Sequence, residues 1–140
     1  MAFSDPNSPG WEPLLEVAWQ AWARAYAPYS RFRVGAALLC ADGSIVPGCN
    51  VENAAYPVAL CAERTAVCAA VSRGMAVGDP VALVVVTEAA QLTPPCGACR
   101  QVLAEFAEDL PILLANRGGR SLCGIRELLP LAFTGRHMAH

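Results

Sequence analysis

The chain has 140 residues, a length that holds one hydrophobic core and leaves little for a second. Apolar residues make up 55% and charged residues 16%, which excludes a disordered chain, and the longest apolar run, Val81 to Val86, is far short of the ~20 residues of a membrane helix. The net charge is −2 and all ten cationic residues are arginines, scattered from Arg24 to Arg136, so no basic stripe marks a nucleic-acid partner.

Met1 to Pro13 has neither a basic residue nor an apolar run, so no signal peptide is expected and the chain should be cytoplasmic. One domain over residues 1–140 is expected, with 1–10 and 134–140 flexible. Trp11 to Ala25 reads as a helix, its apolar positions Leu14, Leu15, Ala18, Trp22 and Ala25 three and four apart. Phe32 to Cys40 is a mostly apolar strand, Asp42-Gly43 a hairpin turn, and Ser44 to Val51 the returning strand. Cys61 to Arg73 is a second helix closed by Gly74. Val81 to Thr87, rich in valine, reads as a strand buried on both faces. Cys96 to Glu108 is a third helix entered through Pro94-Pro95. Pro111 to Ala115 and Ser121 to Gly124 are short strands around the turn Asn116 to Arg120, and Arg126 to Leu129 is a helical turn. Alternating strands and helices indicate an α/β fold with helices covering a sheet. The turn between the last two strands is too short for a parallel crossover, so the last strand should be antiparallel.

Seven cysteines, an odd number, read as reduced thiols in a chain without a secretory signal. Cys96 and Cys99, three apart on a helix, can converge on one point. Cys61, at the start of another helix, could complete a three-sulfur site whose helix dipoles favour thiolates. Zinc with three protein ligands and one open position is the arrangement that activates water. Cys68 lies about 10 Å along the helix from Cys61, too far to share a metal. Cys40, Cys49, Cys68 and Cys123 read as small buried hydrophobes, and His137 and His140 as solvent-facing tail residues. Glu63 points away from the Cys61 sulfur and is available as an acid or base beside the metal. A lone Cys-x-x-Cys also suits redox pairs and zinc ribbons.

Cys61-Ala62-Glu63 followed by Pro95-Cys96-Gly97-Ala98-Cys99 is a zinc deaminase signature with cysteine in place of the first histidine. Gly48 to Tyr56, Cys61 to Ala66, Pro95 to Gln101 and Tyr29-Ser30-x-Phe32-x-Val34-Gly35-Ala36 resemble the small tetrameric cytidine deaminases. The resemblance implies a three-layer α/β/α fold with a five-stranded mixed sheet. It implies one zinc per subunit on Cys61, Cys96 and Cys99, and Glu63 carrying a proton from water to N3 and then to the leaving amino group. Asn50 and Glu52 would bind sugar hydroxyls, Ala62 would contact substrate, and Phe32 would pack on the pyrimidine. Tyr56 and Phe133 would help build neighbouring subunits' sites in a homotetramer, consistent with the high apolar fraction. The implied reaction converts cytidine and deoxycytidine to uridine and deoxyuridine plus ammonia, in pyrimidine salvage. Free nucleoside, rather than a nucleic acid or a membrane, is the implied partner.

Three thiolates and one zinc ion leave the site one unit negative, which opposes the lowering of the water pKa. Arg64, in the first turn beside Glu63, is the candidate to withdraw that charge, with Arg100 its rival. The competing readings are a deaminase of a cytosine nucleoside antibiotic, a deaminase of bases in RNA or DNA, a structural zinc module with four ligands, and a thiol redox protein. The nucleic-acid reading lacks a histidine ligand and a basic surface.

Overall fold

The computed structural model describes residues 3–138. A 3-10 turn, Pro9–Trp11, leads into helix α1 (Glu12–Ala23), which is followed by β1 (Gly35–Cys40), β2 (Ile45–Cys49), α2 (Ala62–Ser72) and β3 (Pro80–Val86). Then come α3 (Gly97–Phe106), β4 (Pro111–Ala115), β5 (Arg120–Gly124) and the single turn α4 (Ile125–Leu128). The strands form one sheet in the order β2-β1-β3-β4-β5. β3 and β4, joined through α3, are parallel, and all other neighbours are antiparallel, including the last pair.

β3 shows why the sheet has helices on both sides. Ala82, Val84 and Val86 pack with Trp11, Leu14, Leu15 and Ala18 of the α1 side, whereas Leu83 and Val85 pack with Ala62, Ala66, Val67, Ala70 and Leu103 on the other. Successive side chains of a strand point to opposite faces, so a continuous apolar run serves two cores. The layers are α1, the sheet, and α2 with α3.

Several boundaries differ from the sequence reading. β1 begins at Gly35 rather than Phe32, because Phe32 and Val34 give their backbone groups to the Asn50 side chain: Asn50 Nδ2 donates to Phe32 O at 2.7 Å and Val34 N donates to Asn50 Oδ1 at 2.8 Å. α3 stops at Phe106, whose carbonyl accepts from Gly78 N at 2.7 Å, and Ala107 is already extended. α2 ends as read from Gly74, which stands at φ 103. Gly74 N reaches Val71 O and Met75 N reaches Ala70 O, both at 3.0 Å, the paired bonds of a left-handed helix stop. Cys68 is exposed rather than buried, because α2 turns Ala62, Ala66 and Ala70 inward, four apart, and Cys68 falls off that stripe.

The start of the chain makes specific contacts. Trp11 Nε1 donates to Asp5 O at 3.0 Å, Phe3 sits edge-on to Trp11 at 4.8 Å, and Arg120 donates to Pro6 O and pairs with Glu12 at 2.9 Å. Phe133 stacks on His137 at 5.5 Å, and His140 lies outside the described residues. Among the described residues no helix is long and apolar enough to cross a membrane.

Candidate metal centre and active-site cleft

Two helix beginnings bring the sulfurs together. Cys61 is the N-cap of α2 and Cys96 the N-cap of α3, both extended, with Cys99 on the first turn of α3. Cys61 Sγ is 3.7 Å from Cys96 Sγ, and Cys96 Sγ is 3.4 Å from Cys99 Sγ. A tetrahedral zinc with bonds of about 2.3 Å holds its sulfurs about 3.8 Å apart, so the donor set fits that ion. All three ligand atoms lie within 4.8 Å of one another, and among the described residues no fourth His, Cys, Asp or Glu joins them. Cys99 is buried and Cys96 exposed, which leaves the cluster open on the cleft side. Cys61 and Cys99 do not ionise together. Cys61, held by Cys99 and by Arg64, is pulled down to about 5, and the hydrogen bond that Cys99 gives to Cys61 in turn raises Cys99, which burial pushes further up.

Glu63, two residues after Cys61, is 4% exposed. Burial pushes its carboxyl up, and the neighbouring Cys61 charge adds to that. The depth of this turn is set by Gly48 of β2: a Cβ there would lie 2.2 Å from Ala62 O and 2.6 Å from Ala66 N. The hydroxyl of Thr65 stands 2.9 Å from both Cys49 O and Ala62 O, tying the same turn to the end of β2.

Arg64 Nη2 lies 3.5 Å from Cys61 Sγ and 3.5 Å from Ala59 O. Its Nε is buried without a partner among the described residues, and the contact with Cys61 holds the guanidinium protonated. Arg100 points elsewhere: Nε donates to Pro95 O at 2.8 Å and Nη1 to Leu128 O at 2.9 Å. It braces α3 against α4, and its hydrogen bonds go to backbone carbonyls rather than to the clustered sulfurs.

Cys61, Cys96, Glu63 and Arg64 open onto a cleft of about 440 Å³ whose walls include Val34, Asn50, Glu52, Tyr56, Leu60, Ala62, Val85 and Thr93, with Cys99 buried behind them. That volume lies within the ~300–1,000 Å³ typical of small-molecule sites. Asn50 and Glu52 line it as their spacing suggested, yet their polar atoms are already engaged. Glu52 Oε1 accepts from Tyr29 N at 2.9 Å and Ser30 N at 3.1 Å, and Oε2 accepts from the Ser30 hydroxyl. Tyr56 is 73% exposed at the rim, edge-on to Tyr29. Two aromatics stand outside this cleft. Phe32 lines a separate hollow with Trp22, Arg31 and Arg33, and Phe133 is held through its carbonyl by Gln101 Nε2 at 2.8 Å. Ser30, Thr65 and Thr93 were not singled out from the sequence. Ser30 and Thr65 sit inside the quoted Tyr29-Ser30 and Cys61-to-Ala66 stretches, but their contacts join segments far apart in the chain.

Known proteins are similar to this chain in sequence and fold. A cytidine deaminase of Halalkalibacterium halodurans is 50% identical over 127 residues, 89% of this chain and 95% of that one. The crystal structure of cytidine deaminase from Burkholderia pseudomallei superposes with a TM-score of 0.84 at 46% identity, covering 86% of this chain and 97% of that one. The crystal structure of cytidine deaminase from Mycobacterium tuberculosis gives 0.73 at 46% identity, with 88% and 96% covered. The model of the cytidine and deoxycytidylate deaminase zinc-binding region matches residues 11–113, from the entry to α1 into β4 and across every cysteine of the cluster, and the chain belongs to that family.

Proposed function

We propose that the chain is a zinc enzyme that hydrolyses cytidine and deoxycytidine to uridine and deoxyuridine with release of ammonia. The observation that carries this reading is the buried Glu63 carboxyl in the same cleft wall as Cys61 and Cys96, two members of a cluster of three converging sulfurs. A structural zinc module would call for a fourth ligand, and the described residues offer three.

Zinc bound by Cys61, Cys96 and Cys99 supplies the Lewis acidity that makes water a nucleophile near neutral pH. Glu63 takes one proton from the attacking water and delivers it to N3 of the ring. It then takes the remaining proton of the hydroxyl added at C4 and gives it to the amino group, which leaves as ammonia as the C4–N bond breaks and the C4 carbonyl forms. A carboxyl raised by burial is suited to both halves of that transfer. Arg64 donates to the Cys61 sulfur and draws negative charge from the thiolates. Asn50 and Glu52 hold the sugar and Ala62 contacts the base, whereas Phe32, which lines a separate hollow, would pack on the pyrimidine only after its loop moves toward the cleft.

The substrate is a free nucleoside, because the chain has no lysine and no glycine-rich phosphate loop. The enzyme works in the cytoplasm, in pyrimidine salvage, as a homotetramer in which Tyr56 and Phe133 complete neighbouring subunits' sites. The exposure of Tyr26, Tyr29, Tyr56, Val58 and Phe133 supports that assembly. Zinc content of the purified protein, with ultraviolet loss on cytidine, deoxycytidine, cytidine monophosphate and a cytosine nucleoside antibiotic, tests the reading. Faster turnover of the monophosphate or the antibiotic overturns the substrate, and a light-scattering mass of a single chain overturns the tetramer.

A further inference from the structure

Ser30 stands at the centre of a small network that joins the cleft to the loop before β1. Its backbone N–H and that of Tyr29 donate to Glu52 Oε1, its hydroxyl donates to Glu52 Oε2, and its oxygen accepts from Phe32 N at 3.0 Å. The next residue, Arg31, stands at φ 59, a left-handed conformation that L-residues adopt only where the surroundings impose it.

We propose that Ser30 determines sugar specificity by position: it fixes Glu52 so that Glu52 and Asn50 together present one acceptor and one donor to a single sugar hydroxyl. The proposal rests on the nucleoside reading above. A carboxylate offers about four lone-pair sites. Two on Oε1 take backbone N–H groups and one on Oε2 takes the Ser30 hydroxyl, which leaves one. Of the two N–H bonds of Asn50 Nδ2, one is given to Phe32 O, which leaves one. A hydroxyl donates once and accepts, so the remaining pair matches one hydroxyl. A phosphate, having only acceptors to offer, would meet the Glu52 charge. The Phe32 N–H on the Ser30 oxygen turns the hydroxyl proton toward Glu52. The bond from the Ser30 hydroxyl to Glu52 is the first cause holding the Glu52 carboxyl below the usual range, so Glu52 stays an acceptor.

The test is the KM and kcat for cytidine, with the inhibition constant of 2′,3′-dideoxycytidine against it, for the wild type, S30A and S30T. S30A should raise the KM for cytidine about tenfold with kcat within about threefold, as expected when a charged hydrogen bond loses its alignment. The inhibition constant of the dideoxynucleoside, which has no ring hydroxyl to place, should stay within about twofold, and S30T should restore the KM. Ser30 is exposed, and Ser30→Cys gives the same comparison with the loop volume kept if S30A melts early. An unchanged KM for cytidine, an equal loss on both ligands, or no rescue by S30T overturns the proposal. A wild type that neither turns over nor binds either nucleoside overturns the nucleoside reading instead.

Discussion

Replacing Gly48 with alanine should separate the placement of α2 from the stability of the fold. The new Cβ would stand 2.2 Å from Ala62 O, 2.6 Å from Ala66 N and 2.8 Å from Ala66 Cβ. Ordinary contacts need about 3.5 Å, so the first turn of α2 must retreat by roughly 1 Å, and the atoms in the way are mainly backbone. Overpacking of this kind costs about 1–3 kcal/mol, a fall of roughly 3–10 °C in melting temperature at this chain length. A displacement near 1 Å of Cys61 and Glu63 should lower kcat/KM about 100-fold. Gly35 provides the matched control. A Cβ there meets Ala18 O at 2.1 Å and Trp22 N at 2.7 Å, an equal collision with α1 on the other face. G35A should lose similar stability and keep kcat/KM within about threefold, since no reacting group rides on α1. The assay is loss of cytidine absorbance well below both melting temperatures, beside thermal unfolding of each variant. Equal activity losses in the two variants would refute the idea that Gly48 sets the position of the catalytic turn.

Glu63→Gln should keep fold and zinc while turnover falls ~100- to 10,000-fold, and a loss under tenfold at saturating cytidine would remove Glu63 as proton carrier. Arg64→Gln should lose zinc to a chelator about tenfold more readily, the size expected for a group supporting a ligand, and should move the pH–rate profile upward; if neither changes, the helix N-termini carry the compensation. The Glu52 carboxyl, held low by Ser30 and by backbone N–H groups, has a folded pKa below the ordinary ~4.3. Its stabilisation is therefore complete above that range and is lost as pH falls through the lowered value. Melting temperature should drop in that acid window in the wild type and drop less in S30A, and parallel curves would contradict the assignment.

What was legible in the sequence was local. The valine run of β3, the Asp42-Gly43 turn and the two Cys-led helix starts each declare themselves within a few residues. The short turn from Asn116 to Arg120 was enough to give the direction of β5. The loop 29–34 was not legible, because Phe32-x-Val34 alternates like a strand and is overridden by Asn50 and Glu52, distant in the chain. The same distance hid the double duty of those two residues: their spacing put them in the cleft, but not on the backbone of a loop. Phe32 and Phe133 stand outside the cleft of their own chain, a placement that turns on packing rather than on any spacing.

The strand order has a consequence for synthesis. β1 takes β2 on one side and β3 on the other, yet β3 emerges only after α2. Until then the growing chain carries a hairpin whose second edge, Ala36, Ala37 and Leu38, is apolar and unpaired, although all three are fully buried in the finished protein. At ~5–20 residues per second that interval lasts some seconds. An open apolar edge is a template for pairing with other chains. Substitutions that slow the docking of β3 should therefore appear first as insoluble protein, while the molecules that do finish remain as active as the parent.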